Sequence, residues 1–372
     1  MRVLYFSRDY SPHDHRFLSS LADNGHQVYS LRLERSARRV EDRLLPPAVQ
    51  MLQWKNERSV VRWLDYPALR NDLRQIIQQI QPDVIHAGPI QKVASLVAWT
   101  GFRPLVTMSW GSDLLKEADE NGWMRWLTRY TLRHTTVLAG DCMAVQQKAA
   151  NFGFPVEKVV LFPWGVDLDH FSPGDEGGLR SRLGWEDAFI LLSLRAWEPL
   201  YGVDVVVRAF VQAAGQMSNL RLLLLGGGSQ EAVLREILAR AGMSDRVHFG
   251  GQVTNLDLPH YYRAADLYVS ASHSDGSSVS LMEALACGKP VLVSDIPGNQ
   301  EWIVSEQQGW LFKDGDVQGL ATGILEAARD QERLRALGVS ARQLAKERAD
   351  WRKNFRCLES AYEMAVQCSK VG

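Results

Sequence analysis

The chain has 372 residues, with 42 Lys and Arg against 43 Asp and Glu and a formal net charge of -1. That length is long for one hydrophobic core and predicts two domains, while the balanced charge excludes a polyelectrolyte such as nucleic acid as the main partner. The four cysteines, Cys142, Cys287, Cys357 and Cys368, lack the paired spacing of a zinc site or a disulfide framework and read as buried or free thiols in a reducing compartment.

The first apolar run, in MRVLYFSRDYSPHDHRF, is too short for the core of a signal peptide, and no stretch approaches the length of a membrane span. A cytoplasmic protein is therefore expected. Residues 3–7 predict a strand, 15–24 a helix ended by Gly25, and 27–33 a second strand. Residues 65–80 are amphipathic at helical spacing; 84–86 and 105–109 are short strands, and a basic helix over 124–133 precedes a strand at 136–139. Tryptophans stand beside arginines here: Trp54, Trp63, Trp123 and Trp126 lie near Arg58, Arg62, Arg125 and Arg129. Over residues 122–134 the expectation is core packing of Trp123, Trp126 and Tyr130. The alternative is weak peripheral contact with anionic lipid at the inner face of a membrane, from the same aromatics and Arg125, Arg129 and Arg133.

The Pro/Gly-rich run from Phe162 to Gly178 predicts a hinge. Alternation then restarts: strands at 189–194, 221–225, 247–249, 267–270 and 290–294, helices at 203–216, 230–241 and 259–264, and helical pattern from 331 to the end. Strands alternating with helices mean parallel sheets. The expected organisation is a first domain over 1–170 and a second over 171–349, with a helix over about 350–372 packing back on the first.

The stretch SDGSSVSLMEALACGKPVLVSDIPG, residues 274–298, carries the most chemistry. Asp275 and Glu283 flank a Gly276-Ser277-Ser278 turn opening a helix, where free backbone N–H groups favour phosphate oxygens and carboxylates accept from sugar or ribose hydroxyls. The same residues also allow a plain reading, with Asp275 as an N-cap and Leu281, Ala284 and Leu285 as a buried stripe. Arg195 ends another strand, placed to neutralise a diphosphate with its fixed fork, or to form a surface ion pair. The run LRLLLLGGGSQEAVLREIL puts glycines at a strand-to-helix turn but lacks the dinucleotide fingerprint, because Glu231 stands where a further glycine is needed.

Taken with Phe249-Gly250-Gly251-Gln252-Val253, the element from Tyr261 to Asp266, and Phe162-Pro163-Trp164-Gly165-Val166-Asp167, these motifs resemble glycosyltransferase family 4. These are retaining transferases of the GT-B fold: two Rossmann-like doubly wound parallel-sheet α/β domains facing a cleft. The resemblance implies that Glu283 binds the nucleotide ribose and Asp275 contacts donor-sugar hydroxyls. Ser278, Val279 and Ser280 would hold the phosphates, and Gln252 and Val253 would meet the base of a UDP- or GDP-sugar. Gly227, Gly251, Gly276 and Tyr201 complete the implied donor set. Arg195, Asp275, Asp113 and His13 form the implied catalytic set, with Asp14, His15 and Arg16 beside His13 on the facing side.

The resemblance further implies no cofactor and no metal, with the leaving diphosphate itself deprotonating the acceptor hydroxyl. The acceptor would be a sugar, a glycan or a lipid-linked molecule, chosen by first-domain loops such as residues 35–62. The sequence departs from the family pattern at four places: Asp275 replaces a glutamate, Tyr201 a lysine and Trp110 a histidine, and the loop from Ser11 to Arg16 a glycine pair. A nucleotide-sugar-binding protein without transfer, or a nucleotide-sugar 2-epimerase, are the alternative functions on the same fold.

Overall fold

A computed structural model of the chain describes residues 1–34, 41, 43–55 and 60–371. Part of the 35–62 segment, with Arg58, lies outside the described residues. The chain divides into two compact units, one of Met1–Phe162 with Phe355–Gly372 and one of Pro163–Asn354.

The first unit is built on a parallel sheet of β1 (Arg2–Ser7), β2 (Gln27–Arg32), β3 (Val49–Met51), β4 (Val84–Ala87), β5 (Leu105–Met108), β6 (Val137–Gly140) and β7 (Val159–Leu161), in the order β3-β2-β1-β4-β5-β6-β7. Helices cover the strands on both faces, so the strands read as unbroken apolar runs: Val3, Leu4, Tyr5 and Phe6 are all buried. The helix Pro12–Asp23 is capped by Ser11 and so begins before the expected 15–24. The Ser11 hydroxyl accepts from the Asp14 N–H while the Asp14 carboxylate accepts from the Ser11 N–H, and proline occupies the first turn.

The helical pattern beyond residue 331 divides into Gln331–Arg348 and Trp351–Val371. The break falls where Asp350 bridges to Val166, and where Gly165, at φ +69°, approaches the Trp351 backbone so closely that a Cβ would lie 2.9 Å from its Cα. Beyond it Phe355, Leu358, Ala361, Tyr362 and Ala365 form a buried stripe at helical spacing. The Tyr362 hydroxyl is 2.6 Å from Nδ1 of buried His86 at the end of β4, so this last helix completes the first unit.

The second unit repeats the plan with β8 (Phe189–Leu194), β9 (Leu220–Leu225), β10 (Val247–Gly251), β11 (Leu267–Ser270), β12 (Val291–Ser294) and β13 (Gly309–Phe312), all parallel, in the order β10-β9-β8-β11-β12-β13. The helices Val203–Ala214 and Val317–Arg329 bury their apolar sides on one face of this sheet, closing a core around Leu191, Leu222, Val269 and Leu292. Strand order reverses between β8 and β11. Loops leaving the carboxyl ends of these two strands therefore diverge, which opens a crevice at the sheet edge.

Candidate active site

Two loops meet at that reversal. β8 delivers Arg195, and β11 delivers the turn from Asp275 to Ser278. The guanidinium Nη2 lies 2.6 Å from Asp275 Oδ2, and Nη1 donates to the hydroxyls of Ser278 at 3.0 Å and Ser280 at 3.3 Å. The Ser280 hydroxyl also shares a hydrogen bond of 2.8 Å with Tyr268 at the centre of β11. Arg195 Nε is buried without a hydrogen-bond partner among the described residues. The arginine thus sits in an ion-paired, hydroxyl-lined pocket of its own unit.

The turn is held by close backbone packing. Gly298 lies against it, where an added Cβ would be 2.3 Å from the Gly276 carbonyl oxygen and 2.6 Å from that of Asp275. Gly202, at φ +56°, lies against Ala271 at the start of the same loop. The helix Val279–Ala286 has Ser278 as its N-cap, not Asp275, and Ser278 supplies no side-chain cap. Its first-turn N–H groups, including those of Val279 and Ser280, are the donors that the opening turn of a helix leaves without intrahelical acceptors.

Burial raises the Asp275 carboxyl above the usual range, and the Arg195 charge, the Gly276 N–H and the Ser278 hydroxyl pull it back. The guanidinium also stands 4.3 Å from the centroid of the Tyr201 ring. The residue standing in place of a lysine therefore supplies an aromatic face under Arg195 rather than a second cation. Glu283 is buried, and its Oε2 accepts from the Tyr262 hydroxyl at 2.8 Å; that hydroxyl also lies 3.1 Å from the Ser280 carbonyl. Ser277 accepts from the Trp302 indole at 3.0 Å. Tyr262 and Trp302 belong to the site without having been singled out as site residues in the sequence. The available signal was a tyrosine, instead of a phenylalanine, in the stripe of the helix Leu258–Ala264.

At the neighbouring strand ends, Gly226 and Gly228 make room for protein backbone: a Cβ on them would lie 2.6 Å from the Arg195 carbonyl oxygen and 2.5 Å from that of Trp197. The Gly227 carbonyl accepts from the Trp197 N–H at 3.1 Å, and the Gly251 carbonyl accepts from Gly226 at 2.7 Å. Beyond Gly251, Gln252 is exposed and Val253 half-buried. The ends of β8, β9 and β10 are thereby tied together along one edge.

In the first unit, two carboxylates of the loops expected on the facing side, Asp14 and Asp113, are buried. Asp14 is buried and accepts from Tyr5 at 2.8 Å as well as from Ser11. Asp113 is only 2% exposed. Its Oδ1 accepts from the Ser109 hydroxyl and from the N–H groups of Trp110 and Leu114 at 2.7–2.9 Å, and its Oδ2 from the Ile90 N–H at 3.0 Å. Burial pushes this carboxyl up to about 6, against those hydrogen bonds. Asp113 thus fastens the loop after β5 to the helical turn after β4 and presents Trp110, whose ring centroid is 5.2 Å from that of half-buried His13. His13 Nδ1 is 3.4 Å from the Arg16 guanidinium. His86 is a core histidine, held neutral by burial.

Residues 178–344 match the family Glycosyl transferases group 1, and residues 2–141 match the family Glycosyl transferase 4-like. The chain belongs to the group 1, family 4-like glycosyltransferases.

Among relatives of this glycosyltransferase is the GDP-mannose-dependent alpha-(1-6)-phosphatidylinositol monomannoside mannosyltransferase of Mycolicibacterium smegmatis. It is 24% identical over 310 residues, 78% of each chain. The D-inositol 3-phosphate glycosyltransferase of Thermobispora bispora is 30% identical over 57% of this chain and 52% of its own, so the match spans about half of that relative. Among solved structures, Anabaena HepE in complex with UDP-glucose superposes with a TM-score of 0.81 at 21% identity, covering 97% of this chain and 99% of that one. That likeness gives the glycosyltransferase its fold: GT-B, with one parallel-sheet Rossmann-like domain in each unit.

Proposed function

We propose that the enzyme is a retaining transferase that moves a sugar from a nucleoside diphosphate sugar to a hydroxyl of a sugar, glycan or lipid-linked acceptor. The observation that carries this reading is the cluster of Arg195, Asp275, Ser278 and Ser280 at the strand-order reversal, beside an N-terminus without a side-chain cap. A buried cation with an unpartnered N–H and a row of backbone donors suits a diphosphate, and the adjoining carboxylates suit hydroxyls. Relatives named for GDP-mannose and a fold neighbour holding UDP-glucose support a uridine or guanosine diphosphate donor.

In this reading Arg195 turns from Asp275 toward the diphosphate and Asp275 takes up donor-sugar hydroxyls. Glu283, oriented by Tyr262, holds the ribose, and Gln252 and Val253 border the base. The bond from the anomeric carbon to the diphosphate oxygen breaks, and the acceptor oxygen bonds to that carbon from the same face. The acceptor proton passes to the departing diphosphate. The protein's contribution is electrostatic: Arg195 and the helix N-terminus stabilise negative charge that grows on the leaving group. Asp113 and His13 shape the first-unit loops through Trp110.

Turnover of an α-linked nucleotide sugar, followed by proton NMR of the product's anomeric configuration, tests the stereochemical part. An α-linked product is expected, and a β-linked product would overturn the same-face mechanism.

A further inference from the structure

Two aromatics of the helix Gly122–His134 are not buried as core packing requires: Trp123 and Trp126 are each 52% exposed, while Tyr130 is half-buried against the core of the first unit. Trp123, Trp126 and Tyr130 stack edge-out in a ladder, with successive ring centroids 5.0 and 5.5 Å apart. Together with Trp63, Tyr66 and Trp99 they line a cavity of about 390 Å³ at the surface of the first unit. Its lining is predominantly apolar, and two of its hydroxyls are committed to backbone carbonyls. The Tyr66 hydroxyl donates to the Lys92 carbonyl at 2.8 Å, and the Ser95 hydroxyl to that of Gln91 at 2.6 Å. The apolar lining suits a hydrocarbon chain, and the indole N–H groups suit the headgroup depth of a bilayer.

Along the helix itself the charge is one-sided. At about 100° per residue, Arg125, Arg129 and Arg133 form a stripe beside the aromatic one, all three are exposed, and the helix carries no acidic residue. Arg70 lies over Trp99 at 5.1 Å and donates to its carbonyl, adding a cation to the rim. Asp119, 3.7 Å from Arg125, offsets only part of this charge and also pairs with Lys148. An apolar aromatic stripe flanked by arginines is the layout of a helix lying in a membrane interface, with indoles at headgroup depth and cations toward anionic lipid. No described helix is long and apolar enough to cross a membrane.

We propose that this face of the first unit docks on an anionic bilayer, with Trp123 and Trp126 in the interface and an acyl chain of the leaflet in the aromatic cavity. The proposal goes beyond the transferase reading and fails separately from it, because nucleotide-sugar binding is measured in the same samples.

The test is co-sedimentation of the full chain with phosphatidylcholine vesicles, with and without phosphatidylglycerol, across a salt series. The comparison covers wild type, a Trp123→Ser/Trp126→Ser variant and an Arg125→Gln/Arg129→Gln/Arg133→Gln variant, each with a thermal melt to establish folding. The expected result is binding that requires phosphatidylglycerol, falls roughly ten-fold or more in either variant and weakens with salt in wild type. Equal binding by all three proteins, no binding to either vesicle, or self-association that is lost in the tryptophan variant without vesicle binding would each overturn the proposal. The arginine variant replaces only exposed side chains, so it remains informative if the tryptophan variant fails to fold.

Discussion

At the scale of single residues, Arg195 is the centre of the proposed donor site, and its geometry sets what a substitution does. The guanidinium meets Asp275, Ser278 and Ser280 at once while lying over Tyr201. A lysine keeps the charge but has no planar fork to span those partners and no stacking plane. Arg195→Lys is therefore expected to fold and to lose roughly 100-fold in kcat or more, the scale on which removal of one positioned electrostatic donor is felt. Steady-state kinetics with a saturating donor checks this, and a loss confined to KM would contradict it.

His86 gives a second residue-scale prediction. Burial holds the imidazole down to about 3. Between its ordinary value near 6.5 and that depressed value, the unfolded chain binds a proton that the folded chain refuses. The His86 contribution to stability is thus present above the unfolded value and lost as pH falls, at roughly 1.4 kcal/mol per pH unit. Asp113, raised to about 6, works in the opposite sense over part of that range, so His86 is isolated by difference. The melting temperature of wild type minus that of His86→Gln should fall from pH 7 to pH 4, and a pH-independent difference would contradict the assignment.

At the scale of elements, the turn from Asp275 to Ser278 owes its place to glycine. Gly298→Ala puts a methyl group against two carbonyl oxygens of that turn, so it should cost about 1–3 kcal/mol of stability and displace the turn. Chemical denaturation and donor titration on the same variant measure both effects. Lost stability with unchanged donor affinity would separate the turn from binding.

This element is also where sequence carried the most information. The helix from Val279 and its two carboxylates lie within one short stretch, and the apolar runs of β1, β8 and β11 are too marked to misread. What escaped was short or non-local. β3 and β7 have three residues each, too few for a period to show, and β13 opens on a glycine and is only half-buried at Trp310 and Leu311. The grip of Tyr262 on Glu283, between two helices, and of Arg195 on Asp275, between two loops, arises only when elements distant in sequence pack together. Trp123 and Trp126 were misjudged as core because helical periodicity defines an apolar stripe without saying whether anything covers it.

At the scale of the whole molecule, the chain leaves the first unit after Phe162, builds the second, and returns at Phe355. The returning helix is part of the first core: Tyr362 is fully buried and hydrogen-bonded to His86. Tyr362→Ala, made far from the donor site in sequence and within the other unit, should cost on the order of 3 kcal/mol. Hydrogen exchange should register that loss as faster exchange in β1 and β4 and leave β8 and β11 protected; uniform loss across both sheets would instead mean that the two units unfold as one.

The central claim is that the loops meeting where β8 and β11 diverge hold a nucleoside diphosphate sugar. Isothermal titration of wild type, Arg195→Ala and Glu283→Ala with UDP-glucose and GDP-mannose tests it most directly, with a thermal melt showing each variant folded. Saturable binding of at least one donor by wild type, weakened about ten-fold or more in both variants, is the predicted result. Donor binding equal in all three proteins would contradict the claim.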